Sequence, residues 1–145
     1  MEPAAQDPKL TELGQKVLSE ARARAAEATG YDSQQWRKRL AEKFPSKLGI
    51  EAHAWQLDVS EAAFLGVDCI CIAGTGSGKT MPFVMPLMVE LDKRVLLLSP
   101  LKVLQEEQAR RFQEMGISAA TINQDTFNGA LRQVSPDSMT IPSVF

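Results

Sequence analysis

Asp68-Cys69-Ile70-Cys71-Ile72-Ala73-Gly74-Thr75-Gly76-Ser77-Gly78-Lys79-Thr80 is the stretch whose reading fixes the rest of the chain. Residues 68–73 are short, apolar and rich in β-branched side chains, which predicts a buried strand. Glycines follow at once, and Gly78 to Leu91 predicts a helix in spite of two prolines. Pro82 falls in the opening turn, where a missing N–H costs little, whereas Pro86 is expected to bend the axis. Glycines at Gly74, Gly76 and Gly78 let the backbone reach positive φ, so that successive N–H groups converge on an anion at a helix start. The run from Ala73 to Thr80 matches G-x-x-x-x-G-K-[ST], with Ala73 in place of the first glycine. Thr75 and Ser77 complete the cradle, Lys79 neutralises the β- and γ-phosphates, and Thr80 offers its hydroxyl to Mg²⁺. The stretch therefore predicts a nucleotide-phosphate site.

Outward from this loop, Arg94 to Ser99 reads as a second buried strand, and Leu101 to Met115 as a helix. That helix is expected to bury Leu101, Leu104 and Met115 and to pair Glu106 with Arg110 and Glu107 with Arg111 outside. Ile117 to Ile122 reads as a third strand, after which a polar tail begins. Strand and helix alternate, which predicts an α/β fold with a parallel three-stranded sheet and right-handed crossovers. Upstream, Leu10 to Ala28 predicts an amphipathic helix stopped by Gly30. A second helix, capped by Asp32 or Ser33, aligns Trp36, Leu40 and Phe44 and is expected to end at Pro45. Arg37, Lys38 and Arg39 read as its solvated faces. Nothing in the pattern ties these two helices to the sheet, so loose or separate packing is expected. A further helical stretch covers Trp55 to Phe64, before Gly66. The organisation expected is a helical segment over 1–45, a partial nucleotide-binding domain over 46–123 and an irregular tail over 124–145.

At 145 residues, with 44% hydrophobic and 23% charged, the chain has apolar material for one soluble globular domain and too little charge for wholesale disorder. Nine basic and seven acidic residues in 1–50, then seven and eleven in 51–145, exclude a polybasic nucleic-acid tail. Cys69 and Cys71 alternate along one strand face and are poorly placed for a disulfide, which favours a reducing compartment. The longest apolar run, Met81 to Val89, is too short to span a bilayer and carries two prolines. His53, the single histidine, has no acidic or cysteine partner at ligand spacing and reads as structural or surface-exposed.

The stretch from Gln56 through Gly66, Asp68 and Ala73 to Thr80 resembles the superfamily-two helicases, in which a glutamine precedes G-x-D and A-x-T-G-x-G-K-T at this spacing. The resemblance implies an incomplete RecA-like P-loop sheet, with ATP and Mg²⁺ as cofactors. It makes Gln56 the adenine reader: an amide accepts from N6 and donates to N7 of adenine, a pairing guanine does not offer. The downstream residues Leu96 to Lys102, Gln105 to Gln108 and Glu114 to Asn123 look like motif Ia and its following helix and strand in RecQ-like DNA helicases. DEAD-box proteins usually carry Pro-Thr-Arg-Glu-Leu there. By that likeness Ser99 and Lys102 are candidate contacts to a nucleic-acid backbone. The residues before Gln56, Glu51 to Trp55, depart from the F-R-x-x-Q pattern usual in RecQ-like proteins. The family's location implies an intracellular protein, with the nucleus favoured over the cytoplasm.

The resemblance covers residues 46–123, the first part of the first of two RecA-like domains. No Asp-Glu dipeptide occurs, so the D-E-x-H element that holds Mg²⁺ and positions water has no counterpart in this sequence. Glu90 and Asp92 follow apolar residues but come too early for that role. Arginines of a second domain, commonly worth about 10³–10⁵ in rate, are likewise missing. The expectation is a truncated helicase product or fragment that, by itself, binds ATP poorly and turns it over hardly at all. The alternative is a non-catalytic nucleotide-binding or partner-binding module derived from a helicase; a small P-loop kinase fits less well, since no arginine-rich lid follows. Single-stranded or duplex DNA is the expected partner of the full-length family, bound weakly by this chain. A protein partner is expected at the open sheet edge, and no membrane association.

Overall fold

Good helix formers predominate between residues 8 and 29, and in the computed structural model they form one long helix. The structure describes residues 8–123 and 142–143, with side chains over 11–46 and 49–123. Helix α1 spans Pro8–Thr29 and buries Leu18 and Ala21 while leaving Leu13 and Val17 exposed. Gly30, at φ 71°, closes it. Helix α2, Ser33–Leu48, begins where the Asp32 carboxylate accepts from the Gln35 N–H at 3.0 Å. The stripe of Trp36, Leu40 and Phe44 is buried as its spacing predicts. Pro45 does not end the helix, which runs on until Gly49 at φ 68° donates its N–H to the Pro45 carbonyl.

Helix α3, Ala54–Phe64, ends at Gly66, and the Val67 N–H then returns to the Ala62 carbonyl. The phosphate-loop residues follow, and then a single α-turn, α4, at Met81–Val84 that tightens into a 3₁₀ turn at Met85–Met88. The expected helix over 78–91 is thus shortened at both ends. Pro86 has no N–H for the carbonyl four residues earlier, so the α-pattern stops there and a tighter turn continues. Val84, Met85 and Met88 are nevertheless buried, with α2 and α3 packed against this turn.

Two compact units divide between Val89 and Glu90. The first contains α1 to α4 and the phosphate loop. Its core corrects the expectation that the N-terminal helices pack loosely. Trp36 of α2 stacks on Phe64 of α3 with ring centroids 5.0 Å apart, and Tyr31 lies against the same ring at 5.8 Å. Such aromatic pairs stabilise by about 0.5–1.5 kcal/mol beyond their area burial.

The second unit is built on α5, Lys102–Glu114. Its inner stripe is Gln105, Ala109 and Phe112, not Leu101, Leu104 and Met115; Leu101 and Leu104 are exposed. Arg110 pairs with Glu107 and Glu114 in place of the expected Glu106–Arg110 and Glu107–Arg111 pairs. Ile117 and Ala119 fold under this helix. Beyond them β1, Ala120–Thr121, pairs in parallel with β2, Pro142–Ser143. Of the expected tail, only 142–143 lie within the described residues.

The three-stranded parallel sheet predicted from the sequence is not formed among the described residues. Only the end of the third expected strand enters a ladder, and its partner is β2. Residues 68–73 and 94–99 form neither helix nor ladder. Parallel pairing needs a crossover of a dozen or more residues, usually a helix packed on the sheet, and here the prolines reduce that crossover to two short turns. Ile70 and Ile72 are 92% and 91% exposed in consequence, and Leu96 and Leu98 are exposed in the second unit. Among the described residues no helix is long and apolar enough to cross a membrane.

Candidate functional site

Two backbone reversals shape the loop, with Gly76 at φ 80° and Gly78 at φ 75°. The Ser77 N–H and Oγ both donate to the Gly74 carbonyl, at 3.3 and 2.7 Å, and the Met81 N–H closes onto the Gly78 carbonyl at 3.0 Å. Gly74, Thr75 and Gly76 are exposed; Ala73, Ser77, Gly78 and Thr80 are half-buried. The Lys79 ammonium folds back to the carbonyls of Ala73 and Gly74, at 2.9 and 2.7 Å. Its partners are carbonyls and not a carboxylate, so its positive charge remains available to an anion at the loop.

Gln56 is brought against this loop from α3, 96% buried. Its Oε1 accepts from the His53 N–H at 2.9 Å, and its Nε2 donates to the Gly78 carbonyl at 3.2 Å and the Ser77 carbonyl at 3.5 Å. Both ends of the amide are therefore engaged within the chain. A Cβ at position 78 would lie 2.7 Å from Gln56 Nε2, so the close approach itself requires glycine. His53 caps α3 from an exposed position. Among the described residues no group of three His, Cys, Asp or Glu side chains is placed to hold a metal ion. The loop's donors fit a polyphosphate: backbone N–H groups, a lysine held by exchangeable carbonyls, and a threonine hydroxyl beside the helix start.

Ser99 and Lys102 lie in the second unit. Lys102 opens α5 and is exposed, whereas Ser99 is buried, its carbonyl accepting from Gln105 Nε2 at 2.7 Å.

Sequence reading missed a polar cluster at the back of the same α3 helix. The Glu61 carboxylate is fully buried and accepts from Arg22 of α1 at 2.6 Å, Arg37 of α2 at 3.0 Å, Tyr31 at 3.0 Å and the Ser33 hydroxyl. Asp58, one turn earlier, accepts from Arg37 at 2.7 Å and Gln15 at 3.0 Å. Arg37 is thus no solvated face residue; Arg39 is exposed, as its position on the outer face predicts, and also donates to the Val89 carbonyl at 2.8 Å. Burial by itself would raise the Glu61 pKa, but the hydrogen bonds from Arg22, Ser33 and Arg37 bring it below the ordinary range. Burial and the neighbouring Glu61 carboxylate push the Tyr31 phenol well above its ordinary value. A signal for this cluster existed. Asp58 and Glu61 are the two charges of a predominantly apolar helix, three residues apart on one face, and charges there require partners.

Residues 53–140 match the sequence model of a family described as DEAD/DEAH box helicase. The chain is 34% identical over 87 residues to the ATP-dependent RNA helicase-like protein DB10 of Nicotiana sylvestris, covering 54% of this chain and 14% of that protein. It is 29% identical over 100 residues to the ATP-dependent RNA helicase DBP2 of Scheffersomyces stipitis, covering 62% and 18%. It is also 25% identical over 108 residues to the ATP-dependent DNA helicase Q-like SIM of Arabidopsis thaliana, covering 74% and 12%. The chain thus spans less than a fifth of the length of each of these relatives.

Proposed function

The chain belongs to the DEAD/DEAH box helicase family, and from that premise we propose that residues 56–80 form the phosphate- and adenine-binding half of an ATP site. The family implies a RecA-like fold and, in general, use of ATP with Mg²⁺. The observation that supports the assignment to these residues is the seating of Gln56 on the carbonyls of Ser77 and Gly78. One short contact joins the base-reading candidate to the phosphate loop, as a nucleotide spanning both requires. When ATP binds, Lys79 exchanges its carbonyl partners for β- and γ-phosphate oxygens, and the N–H groups of 76–80 converge on the same anion. Thr80 contributes a hydroxyl toward Mg²⁺, which neutralises phosphate charge when bound. Gln56 turns its amide from the loop carbonyls to the adenine edge.

No Asp-Glu dipeptide stands in these 145 residues to position the attacking water. The chain by itself therefore binds ATP and leaves it intact. The nucleic acid of the whole protein is RNA or DNA. The two RNA-helicase relatives favour RNA; the Ser-Pro-Leu-Lys run at 99–102, with its RecQ-like character, and the Q-like DNA helicase favour DNA. We place Ser99 and Lys102 as its backbone contacts in either case.

Titration with a fluorescent ATP analogue tests the reading. Binding that requires Lys79 and magnesium, with ATP a better competitor than GTP, is the expected result. Equal competition by the two would remove the adenine role of Gln56, and indifference to Lys79→Ala would remove the site.

A further inference from the structure

The phosphate loop has a largely exposed segment without ladder partners in front of it and a short, proline-broken turn behind it. Its shape therefore depends on whatever holds those two flanks. On one flank stands α3, whose Gln56 touches the loop. On the other stands the 3₁₀ turn at Met85–Met88, continuous with the loop through α4. Helix α2 grips both. Toward α3, Arg37 and Ser33 bond Glu61, and Trp36 stacks on Phe64. Glu61 is about one and a half turns from Gln56 on the same rigid helix. Toward the turn, Arg39 donates to the Val89 carbonyl at 2.8 Å and Lys43 to the Met88 carbonyl at 3.2 Å. These carbonyls end the post-loop turn, where cations are favoured.

We propose that α2 is a positioning element of the nucleotide site: through Arg37, Arg39 and Lys43 it fixes the spacing between α3 and the post-loop turn, and so sets how strongly the loop takes a nucleotide. This rests on the ATP-site reading above. The mechanism is a coupling between two places that share rigid elements, and such coupling is reciprocal: whatever strengthens nucleotide binding through α2 must be repaid as tighter seating of α2 when nucleotide binds.

The test uses the full 145-residue chain and a fluorescent ATP analogue. Arg39 and Lys43 have exposed side chains, so Arg39→Ala with Lys43→Ala leaves the fold intact, and Glu61→Gln is the buried counterpart. Both variants are expected to weaken the analogue's Kd at least fivefold, with Arg39→Lys restoring most of the loss. ATP is expected to slow hydrogen exchange at the amides of 36–44 in the unaltered chain, and not in the Arg39/Lys43 variant. Lys79→Ala is the reference that abolishes binding. If Lys79→Ala abolishes binding while the α2 variants bind as the parent does, or while exchange in α2 ignores ATP, the positioning role is overturned and the ATP site stands. If the parent chain does not bind the analogue, both fall together. Should Glu61→Gln fail to fold, the Arg39/Lys43 variant decides by itself.

Discussion

Glu61 and Ile70 sit in the same unit, a few residues apart in sequence, and their surroundings invert what their chemistry leads one to expect. A carboxylate lies wholly inside, with four side chains donating to it, while an isoleucine nine residues later stands 92% exposed. The helical part of the unit satisfies its polar groups locally, because α1, α2 and α3 are close neighbours along the chain. The extended part requires partners that only a sheet supplies, and its crossover is broken by proline. Short-range order formed; order that depends on distant strands did not.

Removing the carboxylate breaks this contrast most severely. Glu61→Ala leaves Arg22 and Arg37 to share the single carboxylate of Asp58, and breaking a buried pair typically costs about 3–5 kcal/mol. Arg22 and Arg37 are each about a quarter exposed, so water recovers part of this and a loss near ~3 kcal/mol is expected in urea unfolding followed by Trp36 emission. A loss below about 0.5 kcal/mol would mean that the cluster does not organise the helices.

Titration sharpens the same point without a mutation. Because the folded pKa of Glu61 is lowered, its contribution is present above the unfolded value of 4.5 and is lost as pH falls through the folded value. Because the folded pKa of Tyr31 is raised, its contribution is present below 10 and is lost as pH rises beyond it. Stability of the first unit is expected to fall at both ends, and Glu61→Gln is expected to flatten the acid arm. An unchanged acid arm in that variant would assign the loss to other carboxylates.

Gly78→Ala probes the loop between the two regions. Positive φ and the 2.7 Å approach to Gln56 Nε2 together set a cost of about 1–3 kcal/mol, read as a lowered Tm with weaker nucleotide binding. The smallest effect belongs to the exposed side. Ile70→Lys with Ile72→Lys is expected to change stability by less than about 0.5 kcal/mol while raising solubility in a precipitation assay. A larger loss would show these side chains packed in solution.

Helices were legible in the sequence wherever spacing and caps agreed, as for the stripe of Trp36, Leu40 and Phe44 and the stop at Gly30. The continuation past Pro45 was not, since a proline breaks a helix only if the preceding turn cannot give up one bond. The loop's backbone reversals were legible because glycine at 76 and 78 marks where the chain turns through positive φ, while its phosphate role rests on the motif and stays a proposal. The placement of Gln56 beneath it came from family likeness, and the polar lining behind α3 escaped because Arg37 was read by composition and not by what faced it. The sheet failed for a different reason: strand character in 68–73 and 94–99 is a statement about residues, whereas pairing is a statement about neighbours.

The Lys79 ammonium, resting on the carbonyls of Ala73 and Gly74, makes the loop its own occupant. On the ATP-site proposal an arriving anion does not fill a vacancy; it evicts a tenant of the same chain. The apparent affinity is then the intrinsic affinity scaled by the fraction of loops whose lysine has let go. That fraction is the same for every anion, so the resting contact lowers all affinities alike, and a change that loosens it is expected to raise them together.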